Sequence, residues 1–317
     1  MIRRMLLAAL LAAAPTIQAQ EYPSRPIKIV APFPAGGSAD LIPRVIGEKL
    51  SLKWGQPVIV ENRAGAAGNI GAEYVFKAEP DGYTLLSSPP PPLIINPSLY
   101  RNLPFDPTQF VPIGIMVAIP NVVLVNPRVH VNSIRELIAY AKANPDKLNY
   151  ASQGSGTTSH LTGEMFKSMA GVRLTHIPYK GSAPALTDLL AGQVEMMFDN
   201  LGVSRQHVVS GKLKLLAVCS EKRVASLPEV PALAEILPGF EAVAWFGIVA
   251  PPKTPMPIAE KISAAVAEVL KLPDVRKRLA DLSAEAIGST PAEMAAFMKK
   301  DAERWRGVIR SAGVKAD

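Results

Sequence analysis

Apolar residues fall along this chain in two alternating rhythms. Runs such as Ile27-Lys28-Ile29-Val30, Pro57-Val58-Ile59-Val60 and Tyr83-Thr84-Leu85-Leu86 predict strands. Between the first two, Leu41, Ile42, Val45, Ile46 and Leu50 recur at the three-and-four spacing of one helix face. The pattern restarts in the middle of the chain. Ser133-Ile134-Arg135-Glu136 predicts a capping box, in which the serine oxygen and the glutamate side chain satisfy each other's unpaired amides. Ile134, Leu137, Ile138 and Ala141 then form one apolar stripe that Asn144-Pro145 stops. A strand at 148–151, a helix near 159–169, a strand at 174–177, a helix near 184–190 and strands at 194–198 and 213–218 follow. The C-terminal third reads as helical, and Thr290-Pro291-Ala292-Glu293 joins a capping box to a proline at the first helical position.

Strands alternating with helices predict an α/β fold with largely parallel sheets, whose strands are apolar runs because crossover helices cover both faces. The long apolar segments Val111–Val125 and Val243–Ala250 are candidates for the pair that crosses between two lobes. On that reading residues 20–122 and 250–317 build lobe one, and residues 123–249 form an inserted lobe two. Length agrees with the division, since single cores stop growing at roughly 250–300 residues and this chain has 317.

The N-terminus changes where such a protein should work. Met1-Ile2-Arg3-Arg4, an apolar run from Met5 to Ala14 and the small-residue end Ile17-Gln18-Ala19 have the layout of a cleaved signal peptide over residues 1–19. A run this short falls well below the ~20 residues of a membrane span. Export to the periplasm, as a soluble and monomeric protein, is the expectation. Cys219, the single cysteine, lies in the apolar segment Leu215-Leu216-Ala217-Val218 and reads as a core residue, so the fold must rest on its core, which a 48% hydrophobic composition can supply. The net charge of +7 is scattered, without the runs of Lys and Arg that nucleic-acid or membrane patches show.

Candidate chemistry concentrates in two segments of one design. Pro34-Ala35-Gly36-Gly37-Ser38-Ala39-Asp40 and Gln153-Gly154-Ser155-Gly156-Thr157-Thr158-Ser159-His160 each lie between a strand and a helix. Four amides at a helix start have no intrahelical partner, the dipole is positive there, and glycine lets a ligand approach the backbone. A carboxylate suits both. Either segment alone is equally an ordinary turn capped by Asp40 or Thr157, but one per lobe suggests a shared cleft. Charge-assisted hydrogen bonds give ~1.5–3 kcal/mol each, whereas micromolar affinity needs about 8 kcal/mol beyond association costs, so both loops must act on one ligand. Gly65-Ala66-Ala67-Gly68-Asn69-Ile70-Gly71 lacks the G-x-G turn of a dinucleotide site, and no cofactor is expected. No G-x-S-x-G elbow or phosphate-loop lysine occurs, and the four histidines show no metal-ligand pairing, so neither a catalytic set nor a metal site is expected. Asp40 and Asp199 as an acid–base pair is the enzymatic alternative.

Tyr22-Pro23-Ser24-Arg25-Pro26-Ile27 followed by Pro32-Phe33-Pro34-Ala35-Gly36-Gly37-Ser38-Ala39-Asp40 resembles the opening of the tripartite tricarboxylate transporter substrate-binding proteins, the Bug family. The resemblance continues through Val60-Glu61-Asn62-Arg63-Ala64-Gly65, Pro80-Asp81-Gly82-Tyr83-Thr84-Leu85, Ile95-Asn96-Pro97-Ser98-Leu99-Tyr100, His176-Ile177-Pro178-Tyr179-Lys180-Gly181 and Phe198-Asp199-Asn200. It implies a type II periplasmic-binding fold with a cleft between two lobes, a carboxylate held by the two glycine-rich loops, and delivery to membrane transporter subunits; a dicarboxylate or aromatic carboxylate would fit that arrangement. The implied contacts are Phe33, Ala35, Gly37, Ser38 and Asp40 in lobe one, with Gly36 in the same loop. Gly154, Ser155, Thr157, His160 and Asp199 serve in lobe two, beside Gly156, Ser159 and Lys180 of the same motifs. The third loop, Ser87-Ser88-Pro89-Pro90-Pro91-Pro92, departs from the family's small, Gly/Thr-rich stretch, and its prolines donate no amide. The rigid proline wall, with Asp199 and Arg205 of lobe two, is expected to read the far end of the ligand, Arg205 having the alternative of a solvated helix residue. A ligand-loaded partner of a sensor kinase is the second functional reading.

Overall fold

The first strand, β1 (Ile27–Ala31), is buried except at Lys28, because apolar residues cover both its faces, Ile42 and Ile46 clustering with Ile29, and Ala72 and Val75 with Val30. β2 (Val58–Asn62) sets Val60 opposite Ile29, and β3 (Thr84–Ser88) sets Leu85 opposite it on the other side. Helices α1 (Ser38–Trp54) and α2 (Asn69–Phe76) make the crossovers. The computed structural model describes residues 22–225 and 227–314, so the expected signal peptide lies outside the described residues.

β4 (Val111–Val125) belongs to two sheets. Its first part, to Pro120, pairs antiparallel with β9 (Val243–Ala250), which pairs in turn with β3. Its last part, from Asn121, pairs antiparallel with β7 (Met196–Asn200) and β8 (Lys214–Val218). β5 (Asn149–Ser152) joins β7 and β6 (Thr175–Pro178) in parallel. Around this second sheet lie α3 (Ile134–Ala143), α4 (Thr158–Ala170), α5 (Ser182–Ala191) and α6 (Leu201–Val209). The chain then closes on the first sheet with α7 (Met256–Val269), α8 (Pro273–Asp281), the short β10 (Glu285–Ala286) against β4, and α9 (Pro291–Ala312).

Two expectations change. Of the two apolar segments assigned to the crossing, only β4 crosses: β9 pairs throughout with strands of the first sheet, and the return is the link from Cys219 to Ala242, tied by mutual backbone bonds at Asn121. Apolar length marks a strand buried on both faces and does not report its partners. The capping box at Ser133 is also incomplete. Ser133 Oγ accepts the Glu136 amide at 3.2 Å, but the Glu136 carboxylate accepts from Asn132 N at 2.8 Å. At Thr290 the reciprocal box forms as expected.

Each sheet has its own apolar layer, Ile29, Ile42 and Ile46 in the first and Leu124, Leu186 and Leu189 in the second. A further cluster runs from Ile95 and Phe110 through Trp245 and the fully buried Trp305 of α9 to Phe166 and Phe198. The C-terminal helix therefore packs on both lobes. α6, which no apolar stripe announces, starts directly at the end of β7, and its Gly202 lies so close to α8 that a Cβ would sit 2.1 Å from the Leu282 carbonyl oxygen.

Candidate ligand-binding site

The first loop is held from behind. Asp40 Oδ2 accepts the Gly36 amide at 3.0 Å, while Oδ1 accepts from Arg44 Nε at 2.8 Å and Asn62 Nδ2 at 2.9 Å. Asn62 Nδ2 also donates to the Phe33 carbonyl at 3.0 Å. Burial alone would raise the Asp40 pKa, but Arg44, the Gly36 amide and Asn62 outweigh it and hold the carboxyl below its ordinary value. Asp40 is thus committed to shaping the loop. Gly37 is the helix N-cap without a side-chain bond, and its carbonyl accepts the Asp40 and Leu41 amides. The Ser38 and Ala39 amides have no acceptor among the described residues, as a helix start predicts.

The second loop has its own support. Thr157 caps α4, its Oγ1 accepting the His160 amide at 3.3 Å and donating to the Gly154 carbonyl at 2.7 Å. His160 Nδ1 accepts the Gly156 amide at 3.1 Å. Its ring stacks on His176 at 4.0 Å between centroids, and His176 Nε2 meets Ser152 Oγ at 2.6 Å. Burial pushes His160 down to about 4, despite opposition from Glu164, and pushes His176 to about 3, with His160 and Lys167 adding to the shift. Both rings are therefore neutral near pH 7, which suits an Nδ1 that accepts. Ser159 Oγ accepts the Gln153 amide at 3.3 Å and donates to the Phe198 carbonyl.

Two more helix starts complete the ring. Gly181 caps α5 with φ of +104°, a conformation that side chains rarely adopt, and an added Cβ would lie 3.3 Å from Pro34 of the facing lobe. Asn200 caps α6 at the end of β7. Behind both stands Asp199, fully buried: Oδ1 accepts Gln153 Nε2 at 2.5 Å, the Asn200 amide at 2.8 Å and Ser182 Oγ at 3.0 Å. Desolvation raises its pKa to about 6 against those bonds.

The cavity between the lobes is lined by the four helix starts, at Gly37-Ser38-Ala39, Thr157-Thr158, Gly181-Ser182 and Asn200, together with Gln153, Phe33, Pro34, Pro89, Pro91 and Phe246. Its wall carries no charged side chain. An outer cavity adjoins it, where Gly154, Ser155 and Lys180 face Gly68 and Tyr100. Of the sequence-predicted residues, Phe33, Gly37, Ser38 and Thr157 line the inner cavity, and Gly154, Ser155 and Lys180 the outer one. Gly36, Asp40, Gly156, Ser159, His160 and Asp199 line neither cavity, and their hydrogen bonds, except at Asp199 Oδ2, run to the loop backbone and to neighbouring side chains. Ser87 and Ser88 are buried in β3, Ser88 Oγ donating to the Pro89 carbonyl, and neither lines a cavity. Ala35 is exposed, and Arg205, half-buried on α6, lines neither cavity. Sequence reasoning missed Gly181-Ser182 as a helix start, although it repeats the strand–turn–helix signature, and missed Asn200, where the helix follows the strand with no turn between. Phe246 has no local signal, since it comes from β9. No group of three or more metal-ligating side chains occurs among the described residues.

Residues 42–314 match the family described as the tripartite tricarboxylate transporter family receptor. The chain belongs to that family. It is 38% identical to the protein BugT of Bordetella pertussis over 306 residues, 96% of this chain and 94% of the relative. The fold of this receptor is similar to that of the R. palustris protein Rpa4515 solved with adipate, at 37% identity and a TM-score of 0.90 over 93% of this chain and 99% of that one. It is also similar to MatC of Rhodopseudomonas palustris with bound malate, at 32% identity and a TM-score of 0.86 over 91% and 100% of the two chains. The two-lobed α/β architecture is thus that of periplasmic solute-binding proteins. The family is one of substrate-binding receptors and not an enzyme class. No helix among the described residues is long and apolar enough to cross a membrane.

Proposed function

We propose that this receptor captures a small carboxylic acid between its lobes and hands it to the membrane subunits of a tripartite transporter, without chemical turnover. The observation that carries the reading is the convergence of four helix starts from both lobes on one cavity whose wall has no charged side chain. Unpaired amides and aligned dipoles then supply the anion's partners. Adipate and malate in two solved relatives support the choice of ligand. The lobes divide in this reading between Pro120 and Asn121 on the outward strand and just ahead of Val243 on the return, where strand pairing changes sheet. Leader cleavage near Ala19 and release of a monomer into the periplasm complete the proposal, and mass spectrometry of the exported protein checks the cleavage.

A thermal-shift screen over mono-, di- and aromatic acids tests the central point. A bound acid at ~100 times its dissociation constant adds about 2.7 kcal/mol of stability, and no response across the panel would sink the reading. Gly37→Pro tests the site. Gly37 has φ −92° and ψ 172°, outside proline's range of about −65 ± 15°, so the comparison uses a variant shown to fold, in which one amide is gone from the cavity wall. Affinity should fall roughly tenfold or more, the loss of one charge-assisted hydrogen bond.

A further inference from the structure

We infer that the inner cavity selects an acid with a single carboxylate and an apolar body, and discriminates against a second carboxylate on the same ligand. The inference rests on the carboxylate reading above and concerns the end of the ligand that the two glycine loops leave unread.

Three observations carry it. Apart from the helix starts and Gln153, the cavity wall is made by Phe33, Pro34, Pro89, Pro91 and Phe246, which offer carbon surface. The chain leaving β3 also turns straight into the helical turn Pro91–Ile95, with Pro90 as its N-cap. A helical start ordinarily presents unpaired amides. Residues 89 to 92 are all proline, whose nitrogen carries no hydrogen, so this start has none to give until Leu93. An anion meets carbonyl oxygens and ring carbons there.

The starts of α5 and α6 are the other donors that lobe two offers on this wall, and Asp199 stands directly behind them. Its Oδ1 takes the Asn200 amide and the Ser182 hydroxyl, and it also holds the amide of Gln153. Its Oδ2 is buried without a hydrogen-bond partner among the described residues. A second ligand carboxylate placed here would lie near the Asp199 carboxylate in a wall with no charged side chain to offset it, whereas Lys180 lies out in the adjoining cavity. A chain or ring of carbon loses nothing polar and gains packing against the two phenylalanines and the prolines.

Matched acids separate the terms. Calorimetric titration of the wild-type protein with hexanoate and adipate, and with benzoate and terephthalate, compares one and two carboxylates on the same carbon skeleton. The monoacid of at least one pair should bind about tenfold tighter or better, since an unpaired buried carboxylate is costly. Asp199→Asn should narrow that ratio by removing the like charge. A diacid that binds as tightly as its monoacid partner, or more tightly, overturns the inference and leaves carboxylate capture standing. An unchanged ratio in a folded Asp199→Asn protein overturns the part assigned to Asp199. Silence from every acid overturns the carboxylate reading and this inference with it.

Discussion

Acidification from pH 7 to pH 5 should destabilise the fold through the stacked pair His160 and His176. The pKa values lie at about 4 and about 3 in the folded protein and at 6.5 in an ordinary environment. Between 6.5 and 5 the unfolded chain binds a proton on each ring and the folded protein does not, so stability falls as pH falls. At about 1.36 kcal/mol per pH unit, each ring costs ~2 kcal/mol by pH 5. Asp199 opposes them. Its pKa is lifted from 3.8 to about 6, so below pH 6 the folded state takes up the proton first and gains about 1.4 kcal/mol by pH 5. The net loss from the three groups is about 2.5 kcal/mol, a large share of the 5–15 kcal/mol that holds a typical domain folded. Urea denaturation at the two pH values measures it. In the double variant His160→Gln/His176→Gln each amide can keep a hydrogen-bonding group near Gly156 and Ser152 but cannot titrate, so the acid loss should vanish or reverse. An equal loss in the wild type and the double variant would refute the reasoning. Only below about pH 4, where folded His160 itself takes up a proton, should ligand binding weaken by this route, because a protonated ring would turn an N–H towards the Gly156 amide that its Nδ1 now accepts.

Asp40→Ala should weaken acid binding although Asp40 lines no cavity, since the Gly36 amide, Arg44 and Asn62 lose their common acceptor; calorimetry on the folded variant checks it, and unchanged affinity would remove Asp40 as a positioning residue. Stability should fall by ~1–3 kcal/mol in the same protein, the cost of buried donors left unpaired. Trp305→Ala should cost ~3–5 kcal/mol by chemical denaturation, because the ring is fully buried in the cluster that spans both lobes. Trp305→Phe should cost far less, as its indole N–H has no acceptor among the described residues.

The alternation of apolar strands and amphipathic helices was legible in the sequence because each signal is local: β1, α1, α4 and α9 arise from periods and caps within a few residues of themselves. The two glycine loops were legible for the same reason, as strand–turn–helix junctions whose amides the helix cannot use. What those loops face was decided by the tertiary structure. Only strand order brings Gly181 to Pro34, sets Asn200 beside Thr158 and carries Phe246 from β9 to the cavity wall. Tertiary packing also assigned the roles of the acidic residues and the histidine. The spacing of Asp40, His160 and Asp199 from the loops reads the same whether they face a ligand or the backbone. Burial adds what spacing lacks, because a polar group withdrawn from water takes the partners within reach: Asp40 and His160 bond loop amides, and Asp199 Oδ1 bonds Gln153, Ser182 and Asn200.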